Sequence, residues 1–167
     1  MAALCVLLTA ACAYDYRDKR IPNYLIVMTA ALGAAWHFWD TGPPGILVYL
    51  GRAVPVMALF YPFFKIGSFG AGDVKLLGVT AGYLPFEKTL IFLFYSLLIA
   101  AVISLVKMLK RKAFGACMER LKLYMADVIG SGVLKPYPGR KGAESLGGIC
   151  LSGPVLVSVL LYLGGVY

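Results

Sequence analysis

The chain has 167 residues, 60% hydrophobic and 14% charged, with 16 Lys and Arg against 8 Asp and Glu for a formal net charge of +8. Soluble domains average about half apolar and about a quarter charged, so this composition, with a mean hydropathy of +0.81, excludes an ordinary soluble domain and points to an integral membrane protein. The positive balance calls for no nucleic-acid partner, because membrane proteins collect Lys and Arg in cytoplasmic loops, and one domain over 1–167 fits the length.

A bilayer core of about 30 Å takes about 20 helical residues. Apolar runs approaching that length fall at 2–16, 22–39, 45–64, 72–86, 88–109 and 146–165. They predict an all-α polytopic membrane protein of about six transmembrane helices. The first run has the apolar character of a signal peptide, but "RDKR" follows it and nothing basic precedes it, which predicts a retained helix. Turn signals separate the early segments: "IPN" at 21–23, "DTGPPG" at 40–45, and Pro85 between the fourth and fifth. Between the fifth and sixth lies a polar linker, about 110–145. Its Phe114, Met118, Leu121, Met125 and Val128 recur three or four apart, as in an amphipathic helix. Such a helix either lies along the cytoplasmic interface or docks on the bundle.

Orientation follows from the cations. Arg17, Lys19 and Arg20 follow the first segment, Lys65 and Lys75 flank the third and fourth, and nine more lie between Lys107 and Lys141. Only Arg52 and Lys88 fall elsewhere, so the positive-inside rule puts those three linkers in the cytoplasm.

The four cysteines, Cys5, Cys12, Cys117 and Cys150, form no CxxC pair and read as packing residues. Of the acids, Asp40, Glu87, Glu119, Asp127 and Glu144 sit in turns or the linker, and Asp18 lies among cations. Asp15 and Asp73 differ. Asp15 closes the first apolar run in "ACAYDYRDKRIPN", and Asp73 opens the fourth in "GAGDVKLL". Each could mark a helix boundary, with Asp73 as an N-cap. Two carboxylates at one membrane depth, in a chain so poor in acids, point instead to function. Like charges sharing a site do not both ionise easily, so one acts as acid while the other acts as base. Such a pair can activate water against a peptide carbonyl and protonate the leaving amine. No Ser–His–Asp set competes, since the single His37 falls near the opposite face, and the HExxH zinc pattern is absent. The reaction is therefore expected to need no metal or other cofactor.

Gly70 and Gly72 would let a substrate backbone approach Asp73, or would serve helix packing; Gly78 and Gly82 suit packing better. Lys75 could pair with Asp15, meet a substrate acid, or anchor at lipid phosphates.

At these residues the sequence resembles the type IV prepilin peptidases, membrane aspartyl proteases of the GxGD class. "GAGDVKLL" at 70–77 matches the GxGDxKL signature, and "DYRDKRIPN" at 15–23 matches the motif of the first aspartate. The resemblance implies that Asp15 and Asp73 are the catalytic pair, with Gly70, Gly72, Lys75, Arg17 and Asn23 as supporting or substrate-binding residues. It implies cleavage of the basic leader from prepilin-like substrates at the cytoplasmic face of a bacterial-type inner membrane. The chain lacks the family's CxxC-bearing insert. It is thus similar to the short, peptidase-only branch of tight-adherence pilus systems, for which no N-methyltransferase activity is expected; archaeal preflagellin peptidases share the same core. It departs from the family at "SLGGICLSGP", where a P-Y-G-like stretch with a glycine matching Gly148 is usual, so no role carries over to the sixth helix. The rival from another class is a small ion- or proton-coupled transporter component using the same acids as a relay. Such proteins spread polar groups through the membrane and often repeat internally, whereas here the acids gather at one face.

Overall fold

The computed structural model describes residues 2–110, 114–131 and 150–166, and every regular element among them is helical. The helices are α1 (Ala2–Asp18), α2 (Asn23–Thr41), α3 (Pro43–Ile66), α4 (Ala71–Gly82), α5 (Phe86–Lys110), α6 (Phe114–Ser131) and α7 (Ser152–Leu163). Each of the six apolar segments contains one helix, and α6 lies in the linker. The family-departing stretch before residue 150, Gly148 included, lies outside the described residues.

Local chemistry accounts for the boundaries. α1 ends at Lys19, which takes a left-handed φ of 50° while its N–H donates to the Asp15 carbonyl at 3.1 Å. Pro22 then enters α2 with φ −62°, an angle its ring already fixes. Between α2 and α3, Gly42 adopts φ 74° and donates its N–H to Phe38 at 2.8 Å. Pro43 follows at the first position of α3, where a missing N–H costs nothing. α3 stops at left-handed Gly67, φ 83°, a conformation that suits glycine.

The fourth segment is shorter than expected. Its helix ends at Gly82, and Pro85, which disfavours helical geometry at Leu84, begins the passage to α5. Twelve residues span about 18 Å, less than a bilayer core of about 30 Å. From Val74 onward, Lys75 apart, every residue of α4 is buried. It packs chiefly against α3 and α2, with α5 and α7 also in contact, while α7 is wedged between α1 and α5. Glycines permit this density. Cβ atoms added at Gly33 and Gly82 would both run into the Tyr49 ring, and one at Gly78 would run into Met57. The Tyr49 hydroxyl donates to the Val79 carbonyl at 3.1 Å, satisfying the buried phenol.

Among the described residues, only α3 and α5 are long and apolar enough to cross a membrane by length and composition alone. Their apolar windows are just 22% and 28% buried, so they present their side chains outward, unlike core helices of a soluble protein. Val54, Leu59, Leu90, Phe94 and Val102 are all exposed. That is an apolar surface suited to lipid. Among the described residues, α6 packs extensively against no other helix, and Met118, Leu123, Met125 and Ile129 stand exposed.

Candidate active site

The buried residues of α1 are Leu4, Leu8, Ala11 and Asp15, a single stripe at helical spacing. Asp15 thus extends the core face of the helix by one more turn, and its side chain is only 6% exposed. Asp73 occupies the first turn of α4, three residues beyond the N-cap Gly70. It is not itself the N-cap: its Oδ2 reaches back to accept the Gly70 N–H at 3.1 Å.

The two carboxylates converge on one cavity of about 330 Å³. Asp15, Lys19, Arg20, Ile21 and Asn23 line it from α1 and the start of α2. Gly70, Ala71, Gly72 and Asp73 line it from the α4 entry, and Cys150 closes the remaining side. The "DYRDKRIPN" and "GAGD" motifs therefore meet in space although far apart in sequence. His37 lies far along α2 from this end, with its ring 5.8 Å from Tyr49. Among the described residues no three His, Cys, Asp or Glu side chains gather into a metal-binding set.

Of the other residues singled out by sequence, Gly70, Gly72 and Asn23 line the cavity, whereas Arg17 and Lys75 do not. Arg17 is exposed at the end of α1. Lys75 Nζ donates to Asn23 Oδ1 at 3.4 Å, tying α4 to the head of α2, and forms no ion pair with Asp15. The cations beside the carboxylates are Lys19 and Arg20, from the same basic run.

Cys150 is more than a packing residue, since its Sγ donates to the Asp15 carbonyl at 3.3 Å. Sequence reasoning missed Ser152 altogether. Its hydroxyl donates to Asp15 Oδ2 at 2.5 Å, and its backbone N–H approaches the same oxygen at 3.4 Å. The available signal was a helix start, "LSGP", where Ser and a following Pro mark an N-terminus.

The model of the type IV leader peptidase family matches residues 2–105, well over half of the chain and a range that contains both aspartates. The chain belongs to this family. No curated protein and no solved structure matches it. In this leader peptidase family member the cavity draws on the matched range and on Cys150, which lies outside the match, as does Ser152, which bonds Asp15. A peptidase reading has the family behind it, and the transporter alternative gains nothing from these findings.

Proposed function

We propose that this protein is a membrane aspartyl endopeptidase that removes basic leader peptides from prepilin-like substrates, using Asp15 and Asp73 as its dyad. The observation that carries the reading is that two acids from separate family-type motifs line one cavity. Water held between them would lose a proton to one carboxylate as it attacks the scissile carbonyl. The other carboxyl would donate its proton to the carbonyl oxygen. The first would then pass the proton it took from water to the leaving amine, and the second would recover its own as the diol collapses to the new carboxyl terminus. Lys19 and Arg20 bring positive charge to the cavity wall, and Gly70 and Gly72 leave room for an extended backbone. With this chemistry supplied by carboxyls, the reaction needs no metal, and the chain acts as a peptidase without methyltransferase activity.

The proposed topology has six spans, α1 to α5 and α7, with the cavity end in the cytoplasm. Arg17, Lys19, Arg20, Lys65 and Lys75 cluster toward that end, as the positive-inside rule requires. α6 then lies along anionic headgroups of the inner leaflet.

Co-expression with a candidate prepilin, read as leader removal by gel shift, tests the reading. Asp15→Asn and Asp73→Asn should each lower cleavage by at least about 10³-fold, within the range general acid–base groups supply. Asp18→Asn, exposed and outside the cavity, should keep most activity. Full activity in either dyad variant would falsify the assignment. A preflagellin cleaved in place of a prepilin would change the substrate class and leave the dyad intact.

A further inference from the structure

The carboxyl of Asp15 is not held by its own helix. Among the described residues, both of its polar contacts run to Ser152, at the start of α7, and both end on the same oxygen, Oδ2. No described residue donates to Oδ1. The backbone of Asp15 is gripped from the same segment, through Cys150 Sγ on its carbonyl.

α7 is a firm support for this grip. Ser152, Pro154, Val155, Ser158 and Val159 are buried, and Ser158 Oγ donates to the Phe92 carbonyl of α5 at 3.0 Å. Ser152 itself is 0% exposed, so its hydroxyl has no water to turn to. Leaving either member of such a buried pair without its partner is costly.

We propose that Ser152 is a positioning residue for the reaction: by occupying Oδ2 of Asp15 it fixes the carboxyl's rotation and leaves Oδ1 to deal with the water in the cavity. This rests on the dyad reading above and adds to it the division of labour between the two oxygens of Asp15. Asp73 is held differently, by a backbone donor from its own helix entry. The two carboxyls are therefore oriented from different parts of the chain, one locally and one by α7.

A purely structural role, with Asp15 acting only as a cap for α7, makes the same contacts. The pH dependence of turnover separates the two. Among the described residues, the ionisable groups around Asp15 are Asp73 from α4, Lys19 and Arg20 beyond the end of α1, and Cys150 before α7, with Cys12 on α1 and Lys107 on α5 acting in turn on Cys150. None of them changes in a Ser152 variant. Removing hydrogen-bond donors from a carboxylate disfavours its charged form. A charge-assisted bond corresponds to about one to two pH units. The acidic limb of the kcat profile belongs to the pair of carboxyls together, and it should still move when the donor to one of them is lost.

The test measures kcat, KM and their pH profiles for wild type, Ser152→Ala, Ser152→Cys and Asp15→Asn on a synthetic prepilin in liposomes. Ser152→Ala should lower kcat about 10- to 100-fold at neutral pH, with KM within about threefold. Its acidic limb should rise by about one pH unit or more. Ser152→Cys keeps the volume and offers only a weak S–H donor. It should shift the limb in the same direction by less, and it carries the test alone if the alanine variant does not insert. A limb that stays at the wild-type position in a folded variant overturns the proposal, as does a loss expressed wholly in KM. Activity in Asp15→Asn would instead bring down the dyad reading itself. Inactive Asp15→Asn alongside an unmoved limb in the Ser152 variants would leave the dyad standing and remove only the positioning role.

Discussion

Replacing Gly70 by alanine should impair catalysis while leaving the fold intact. Gly70 has φ −74° and ψ 151°, an extended conformation open to any residue, so its backbone does not require glycine. Space does. A Cβ there would lie 2.9 Å from Asp73 Oδ2 and 3.7 Å from its Cγ, and beyond its chain neighbours would meet no other described residue within 4 Å. The only atoms that must give are the end of a carboxyl side chain, which can swing aside by a few tenths of an ångström. That swing disturbs the 3.1 Å bond from the Gly70 N–H. Losing this cap contact costs about 1 kcal/mol. The smaller conformational freedom of alanine in the unfolded chain returns about 0.4–1 kcal/mol, so net stability should hardly change. The rate is more sensitive. Misplacing a reacting group by about 1 Å can cost about 10²-fold, and a shift of a few tenths should cost about tenfold, or about 1.4 kcal/mol. Prepilin cleavage and thermal melting of the same purified preparation provide the readings. Wild-type kcat in Gly70→Ala, or a loss of activity that merely tracks a loss of folded protein, would refute the reasoning.

A Cβ at Gly72 would come within 3.3 Å of Ile21 Cβ, so Gly72→Val should narrow the cavity and raise KM several-fold with a smaller effect on kcat, measured on the same substrate. Replacing Lys110, Arg111 and Lys112 with Gln should loosen the linker from anionic lipid, since each cation near such a surface contributes about 1 kcal/mol, yet leave KM nearly unchanged in neutral lipid; an equal rise in both lipids would make the linker a recognition element. Gly82→Val should push into the Tyr49 ring and destabilise the bundle by about 1–3 kcal/mol, with kcat per folded molecule preserved; an unchanged melting temperature would contradict the packing argument. Chelator treatment of the purified enzyme should leave cleavage unaffected, and a loss restored by zinc would contradict a reaction run by carboxyls alone.

What sequence could reveal about this protein tracks how local each determinant is. The helices were legible because apolar runs and their punctuation by Gly42, Pro43, Gly67 and Pro85 act within a few residues. Asp15 stood out in the sequence by its motif and as an acid closing an apolar run; its place on the buried stripe of Leu4, Leu8 and Ala11 emerged only from the structure. The partners of the two key residues were not. Lys75 had several candidate partners and reaches Asn23, because only the packing of α4 against α2 decides which polar atom lies within reach. Ser152 and Cys150 touch Asp15 across more than 130 residues of chain, through the wedging of α7 between α1 and α5. Neither periodicity nor spacing encodes such a contact.

The short α4 helps explain why the acids sit where they do. On the six-span topology proposed above, a helix of 12 residues covers about 18 Å of a hydrocarbon core of about 30 Å. If its Pro85 end lies near the outer interface, its Asp73 end stops well short of the inner one. The remaining depth is filled by the cavity, lined with Lys19, Arg20 and Asn23 and bordered by glycine backbone. Irregular backbone and charge are tolerable at that depth only where they face a water-filled recess inside the protein. A full-length fourth helix would carry Asp73 out to the headgroups, where water is abundant and a carboxylate is easily solvated. On that topology, stopping early would keep the proposed dyad inside a confined polar recess, within reach of an extended backbone drawn down from the membrane surface. The glycine-rich entry "GAGD" and the burial of the rest of α4 are then two parts of one arrangement. Burial from Val74 onward, Lys75 apart, holds a short helix that lipid alone would not retain, and on the proposed reading the glycines leave the space its truncation opens free for substrate.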